Sequence, residues 1–266
     1  MEFEVFGSPG QTAMQIRGEA LLMLLDGDPR FCSHGRGVQL DGYHEGSVEL
    51  AEAVVSLLGA TAIEGVPRQD TPDLVEGLAA RGYTTDVISL FQADLGATSI
   101  AREILASRAL PDDLEVRIVD ATSPRSLLEA YAKVSVPHGV LPPVGHVMRG
   151  VSRPGFAMVA FDTVGRPVAT AGAVSRNSPK SAEPGMFQWG QLATTEDRQG
   201  EGIALCLGAM AILHAAEMGA TGFHTGIRPD NAASERLCTA LGVTDSGQDI
   251  VIVINPDAFG GARLTK

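Results

Sequence analysis

The chain has 266 residues, 44% of them hydrophobic, and a formal net charge of −12. That length and composition suit one large globular domain or two small ones, and the acidic balance makes nucleic acid a poor partner. The opening MEFEVFGSPG lacks a basic n-region and no stretch approaches a membrane span, so neither a secretory signal nor a membrane anchor is expected.

Cys32, Cys206 and Cys238 are odd in number and far apart, with no CxxC pair. No disulfide framework and no metal site is expected, and a reducing cytosol fits best. The charge is unevenly placed. Residues 1–112 hold 17 acids and 7 bases, whereas 113–266 hold 15 and 13. The second half is therefore compatible with a small anionic ligand.

Shifted by 160 places, GATAIEGVPRQD (residues 59–70) aligns with GATGFHTGIRPD (residues 219–230). Gly59, Ala60, Thr61, Arg68 and Asp70 meet identical residues, and Ile63 meets Phe223. Without a gap, Gln39, Gly42, Ala51, Ala80 and Gly82 also fall on their equals. Either the chain holds a duplication, or two αβ units share similar turns; duplication is the favoured reading. The shared unit reads as loop, helix, strand, turn, helix, strand.

In chain order, the first copy continues with a strand at 87–91 and a helix at 100–107. A linker, Pro111-Asp112-Asp113, divides the chain into domains 1–112 and 113–266. A strand follows at 114–119, then a helix at 125–133 entered through Ser123-Pro124. The proline-rich VPHGVLPP leads to a short helix near 145–150. Residues 157–161 and 167–174 read as a hairpin. A flexible loop (SRNSPKSAEPG) precedes a strand at 186–194. In the second copy Ala204, Leu207, Gly208, Ala211 and Ala215 recur at helical spacing and give a small-residue face. Gly219 stops that helix, 222–227 reads as a strand, and Asp230 or Asn231 caps a helix running to Leu241. DIVIVIN (residues 249–255) is the strongest strand signal.

The most informative segment is Gln199-Gly200-Glu201-Gly202-Ile203-Ala204, between a strand and the small-residue helix. Glycines at a helix start leave backbone N–H groups open to an anion, helped by the helix dipole. No GK[ST] follows and no GxGxxG is present. A plain glycine-rich turn packing helix on strand is the alternative.

In this context the chain resembles the GNAT superfamily of acyl-CoA-dependent N-acyltransferases. Gln199, Gly202 and Ala204 fill its signature of Gln or Arg, two residues, Gly, one residue, then Gly or Ala. Residues 193–198 resemble the run out of the family's fourth strand, and Asn231, Leu237, Gly242 and Val243 its Asn…Leu-Tyr…Gly-Phe pattern. The resemblance covers about residues 114–256. It implies an α/β (α+β) fold: a mixed, mostly antiparallel twisted sheet flanked by helices, here preceded by a truncated copy of the same fold.

The resemblance also implies a chemistry, transfer of an acetyl group from acetyl-CoA to a small-molecule primary amine by direct attack. Backbone amides of Gly200, Glu201, Gly202, Ile203 and Ala204 would hold the pyrophosphate. The edge formed by Leu192, Ala193, Thr194 and Thr195 would take the pantetheine arm like an added strand. Gln199 and Asn231 complete the cofactor-binding set. The fourth and fifth strands would splay to admit the thioester.

The sequence departs from the family at the acid and the base. Cys238 stands where a tyrosine is usual; it is either a proton donor or, as favoured here, a small core residue. Gln188 stands near the family's glutamate and cannot be a base. His224 is a candidate base or a satisfied structural histidine. Glu183, His138 and His146 are loop candidates for the amine site, and Arg198 and Arg236 for the 3′-phosphate. Trp189 and Phe187 read as core. In the first copy Leu40 and His44 replace Gly200 and Ala204, so that half is expected to lack a cofactor site and to wall off the acceptor pocket. A homodimer through exposed sheet edges is the expected assembly. A non-catalytic acyl-CoA-binding protein, or a scaffold, is the alternative function.

Overall fold

A computed structural model describes residues 4–25, 27–176, 181 and 183–258. Among them ten strands, β1 (Phe31–Cys32), β2 (Gln39–Leu40), β3 (Ala60–Pro67), β4 (Thr84–Asp94), β5 (Glu115–Ile118), β6 (Gly155–Phe161), β7 (Pro167–Ser175), β8 (Met186–Thr194), β9 (Gly222–Ile227) and β10 (Thr244–Ile254), form one sheet in the order β1-β2-β3-β10-β4-β9-β8-β7-β6-β5. Only β2/β3 and β8/β9 are parallel, and all other neighbours are antiparallel.

The echo at a shift of 160 is visible as structure. Helix α2 (Ser47–Leu58), β3 (Ala60–Pro67), α3 (Thr71–Ala80) and β4 (Thr84–Asp94) form one series. Helix α7 (Ile203–Glu217), β9 (Gly222–Ile227), α8 (Ala232–Ala240) and β10 (Thr244–Ile254) form the other. The two series interleave. Strand β10 lies between β3 and β4, and β4 lies between β10 and β9. Each series thus lends its last strand to the other. The connection at 110–113 lies between α4 (Ala97–Ser107) and β5 (Glu115–Ile118), and the sheet is continuous across both halves.

Alternation along the strands explains how the sheet is covered. Ile63, Val66, Val251 and Val253 join the α2 residues Ala51, Val54, Val55 and Leu58 in one core. The opposite side chains, Ala62, Leu90 and Ile250 with Ile88 and Ile252 against them, form a separate small apolar patch. The meander β6 (Gly155–Phe161), β7 (Pro167–Ser175) and β8 (Met186–Thr194) is sandwiched instead, with α5 (Arg125–Ser135) on one side and α7 on the other.

The small-residue face of α7 allows a close approach. A Cβ on Gly208 would lie 2.9 Å from Leu241 Cδ1 and 3.1 Å from Trp189 Cζ2. The Trp189 indole N–H donates to the Gly208 carbonyl at 3.1 Å. Helix α1 (Pro9–Leu24), which hydrophobic periodicity does not single out, packs on α2. The Gln15 side-chain amide donates to the Pro142 carbonyl at 2.7 Å and ties α1 to the 136–144 segment. The loop expected around 175–185 includes 177–180 and 182, which lie outside the described residues. Among those described, no helix is long and apolar enough to cross a membrane, and no group of three or more His, Cys, Asp or Glu is placed to hold a metal ion.

Candidate active site

The site begins where two parallel strands part. Strands β8 and β9 pair through Met186/Gly222, Phe187/Phe223 and Gln188/His224, and no further. Beyond that point β8 bulges. Gly190 pairs with Gly172 and Ala193 with Thr170, so Gln191 and Leu192 together oppose Ala171. Gln191 has φ 52°, a left-handed conformation that costs a non-glycine residue about 1–3 kcal/mol. Hydrogen bonds hold it: Tyr131 O–H to Oε1 at 2.8 Å, its Nε2 to Gln188 Oε1 at 3.1 Å, and Thr170 O–H to its carbonyl at 3.2 Å. A bulge next to a site re-aims the strand. Here it opens a wedge and bares the edge at residues 192–194.

At the mouth of the wedge stands the N-terminus of α7. Gly200 (φ 84°) and the N-cap Gly202 (φ 81°) both need the left-handed backbone that glycine adopts without strain. The first-turn N–H groups of α7 have no acceptor within the helix, and the dipole adds positive potential there. Nothing lies within 4 Å of where a Cβ on Gly200 would stand, while one on Gly202 would meet Arg108 Nη1 at 2.8 Å. Arg108 follows α4, so the first half places a cation over the loop. The hydroxyl oxygen of Thr194 is buried with no hydrogen-bond partner among the described residues. Open amides, room for phosphate, a bare strand edge and an orphaned hydroxyl fit a CoA thioester lying along β8.

From this loop a cavity of about 790 Å³ runs through the wedge onto the sheet face that α2 and α3 leave open. That volume is within the range of small-molecule sites. Ala62, Ile88, Ile250 and Ile252 form its apolar floor, with Met14 of α1 among the other lining residues. Its polar lining comes from both halves of the chain: His34, Arg36, Gln39 and Glu64 from the first, Gln188 and His224 from the second.

The charges there are arranged unevenly. Arg176, 4% exposed, ion-pairs with Asp41 at 2.7 Å and with Glu64 at 3.1 Å. Burial pushes the Glu64 carboxyl above the usual range, and Arg176 opposes that shift. His224, 1% exposed, has no hydrogen-bond partner at either ring nitrogen among the described residues. Burial, with Arg176 near it, keeps its pKa well below the usual value and the ring neutral. Gln39 Nε2 lies 2.7 Å from His34 Nε2, and burial likewise holds His34 neutral.

The residues expected from sequence are distributed as follows. Gln199, Gly200, Gly202, Ile203, Ala204, Leu192, Ala193, Thr194 and Asn231 all line the cavity, whereas Thr195 and Glu201 do not. Gln199 donates to the Thr194 carbonyl at 3.2 Å, so its side chain fastens the loop to the strand end. Asn231 caps α8, its Oδ1 accepting from Ser234 N–H at 3.1 Å. Arg198 does not project freely toward a 3′-phosphate: Asp113 at 2.9 Å and Glu201 at 2.8 Å hold its guanidinium. Arg236 is exposed away from the cavity. His138 lines it, with Nδ1 2.9 Å from the Val134 carbonyl. His146, bound to Ser152 and Glu19, and Glu183 do not. Trp189 and Phe187 are core residues.

Cys238 lines the cavity but is 4% exposed, and burial pushes its thiol up to about 12. Cys238→Ala should leave kcat within a few-fold and lower stability modestly, read by steady-state kinetics and thermal melting. A hundredfold loss of kcat in the folded variant would make the thiol a proton donor.

Sequence reading missed Glu64. It lies 160 residues before His224, so the echo places both at the same strand position. An acid inside the apolar run ATAIEGVP carried the signal, and only the fold shows that both face one cavity.

The first copy's loop is built differently. Leu40 is fully buried, Asp41 is held by Arg176, and α2 starts only at Ser47, after Gly46. The cavity beside it, about 420 Å³, is lined by Glu45, Glu49 and Asp70, and its one arginine, Arg81, is already paired with Glu49 and Glu52. The net acidic lining disfavours phosphate there. Calorimetric titration with acetyl-CoA should therefore give one site per chain, and a stoichiometry of two would contradict this assignment.

At the level of sequence, no protein-family model and no curated protein matches the chain. Solved structures do. A GCN5-related N-acetyltransferase from Kribbella flavida superposes with a TM-score of 0.58 at 14% identity, over 92% of this chain and 95% of that one. The chain has the GNAT fold. A Drosophila protein superposes with a TM-score of 0.54 at 12% identity, over 93% of this chain and 90% of that one. A tandem GNAT protein from the clavulanic acid biosynthesis pathway gives 0.51 at 13% identity, over 81% and 74%.

Proposed function

We propose that the protein is an acetyl-CoA-dependent N-acetyltransferase acting on a small primary amine. The observation that carries this reading is the wedge itself: a bare strand edge, a glycine-rich helix start at its mouth, and a cavity continuing past it to a buried carboxylate. Acetyl-CoA supplies an activated acyl carbonyl when bound. The amides of residues 200–204 and the exposed guanidinium of Arg108 hold the phosphates, and the 192–194 edge orients the arm. Glu64 takes the proton from the amine, since burial raises its carboxyl above the usual range and so makes its carboxylate a stronger base. Neutral His224 accepts a hydrogen bond from the amine and orients it. With Cys238 held protonated, the departing thiolate takes its proton from water. All three cysteines are free and buried, in keeping with work in a reducing compartment.

Incubation of the full chain with acetyl-CoA and a mixture of small amines should yield acetylated amine, detected by mass spectrometry. Binding of acetyl-CoA with no acetylated product from any amine would favour a non-catalytic acyl-CoA-binding protein.

A further inference from the structure

Arg36 is a cation the fold leaves unanswered. It sits in the 33–38 segment, lines the large cavity, and is only partly exposed. Its Nε is buried with no hydrogen-bond partner, and no carboxylate among the described residues forms an ion pair with it. Most neighbouring arginines are answered: Arg176 holds Asp41 and Glu64, Arg198 holds Asp113 and Glu201, and Arg228 holds Asp86. Arg153 also lacks an ion pair among the described residues, but it donates to Ser33 and does not line the cavity. Desolvation lowers the Arg36 pKa, and the buried phenol of Tyr131 is the group that offsets it.

A buried charge without a partner is costly, and a protein keeps one where a ligand supplies the counter-charge. Guanidinium suits a carboxylate in particular, because its fork of N–H groups matches the two oxygens. The cavity supplies the remaining features of a binding site. Glu64 and His224 offer acceptors for an amine, and Ala62, Ile88, Ile250 and Ile252 offer an apolar floor.

We infer that Arg36 binds the carboxylate of a ligand in this cavity, and that the acceptor is an amino-acid-like amine with an apolar skeleton. The inference rests on the transferase reading above. The same carboxylate chemistry is available to a dicarboxylic acyl group on the thioester, and the experiment separates the two sources.

The full chain is assayed with matched amines that differ by one carboxylate: phenylalanine against phenethylamine, leucine against 3-methylbutylamine, 4-aminobutanoate against propylamine. Acetyl-CoA is the donor, and acetyl-CoA and succinyl-CoA are compared by calorimetry. The expected result is a preference of at least tenfold in kcat/KM for a carboxylated member, lost in Arg36→Met and partly kept in Arg36→Lys. Arg36→Met should melt no lower than the parent, because it removes an uncompensated charge; a structural arginine would lower the melting temperature. An Arg36-dependent preference for succinyl-CoA instead would uphold carboxylate binding and place the carboxylate on the donor. If acetyl-CoA binds normally but Arg36→Met changes no preference among amines or thioesters, the inference is overturned. A parent protein that binds no acetyl-CoA would sink the transferase reading, and this inference with it.

Discussion

Ala204→Glu should weaken acetyl-CoA binding by about a hundredfold or more while the melting temperature stays close to that of the parent. Ala204 is the second residue of α7 and only partly buried, so a longer side chain has somewhere to go without disturbing the core. What it cannot do is leave the helix start open. A carboxylate there stands among the amides that would hold the pyrophosphate, adding like-charge repulsion to lost space. At an effective dielectric constant of about 20, two unit charges about 4 Å apart repel by roughly 4 kcal/mol, enough for about three powers of ten in affinity before relaxation. Gly202→Val should act in the same direction, because φ 81° disfavours a β-branched residue. Unchanged calorimetric affinity in folded Ala204→Glu would remove the loop from the phosphate site.

The second large effect is expected at Glu64. Glu64→Gln should lower kcat by roughly a hundredfold or more, within the range of general base catalysis, with acetyl-CoA affinity unchanged. Arg176 keeps its 2.7 Å contact with Asp41 in this variant, so the buried cation is not orphaned. The pH profile gives a second readout. The carboxyl is raised by burial, and its ionised form is the base. Parent kcat/KM should therefore climb as pH rises through that raised value, and the Gln variant should lack the climb. A kcat within threefold of the parent would exclude Glu64 as the base.

The second half of the chain was largely legible because its signals are local. Strands β8 and β9 begin and end as alternation and turns indicate, and the glycine loop announces a helix start by residue type alone. Helix α1 was not seen because its apolar residues make no clean stripe. Its capping box, Ser8 with Gln11, and Pro9 at the first position were readable start signals. Strand β10 begins before the run at 249–255 because a bulge around 245–248 carries the pairing through Ser246-Gly247, which reads as a turn.

The interleaving of β4 and β10 is a long-range choice. No window of sequence says that each strand pairs with the other series, yet this brings Glu64 and His224 to one open face. For the same reason the acceptor end of the cavity was illegible. Arg36, Glu64 and His224 lie far apart in the chain, and each alone reads as an ordinary residue. Arg198 shows the converse: a basic residue near a phosphate loop reads as a ligand until its two carboxylate partners are seen.

The most direct test of the account is release of CoA thiol from acetyl-CoA by the full chain, followed continuously as amines are added. The account predicts turnover that depends on the amine, saturates with it, and is lost in both Ala204→Glu and Glu64→Gln. Acetyl-CoA bound at one site per chain, with thiol release no faster with any amine than without it, would contradict it.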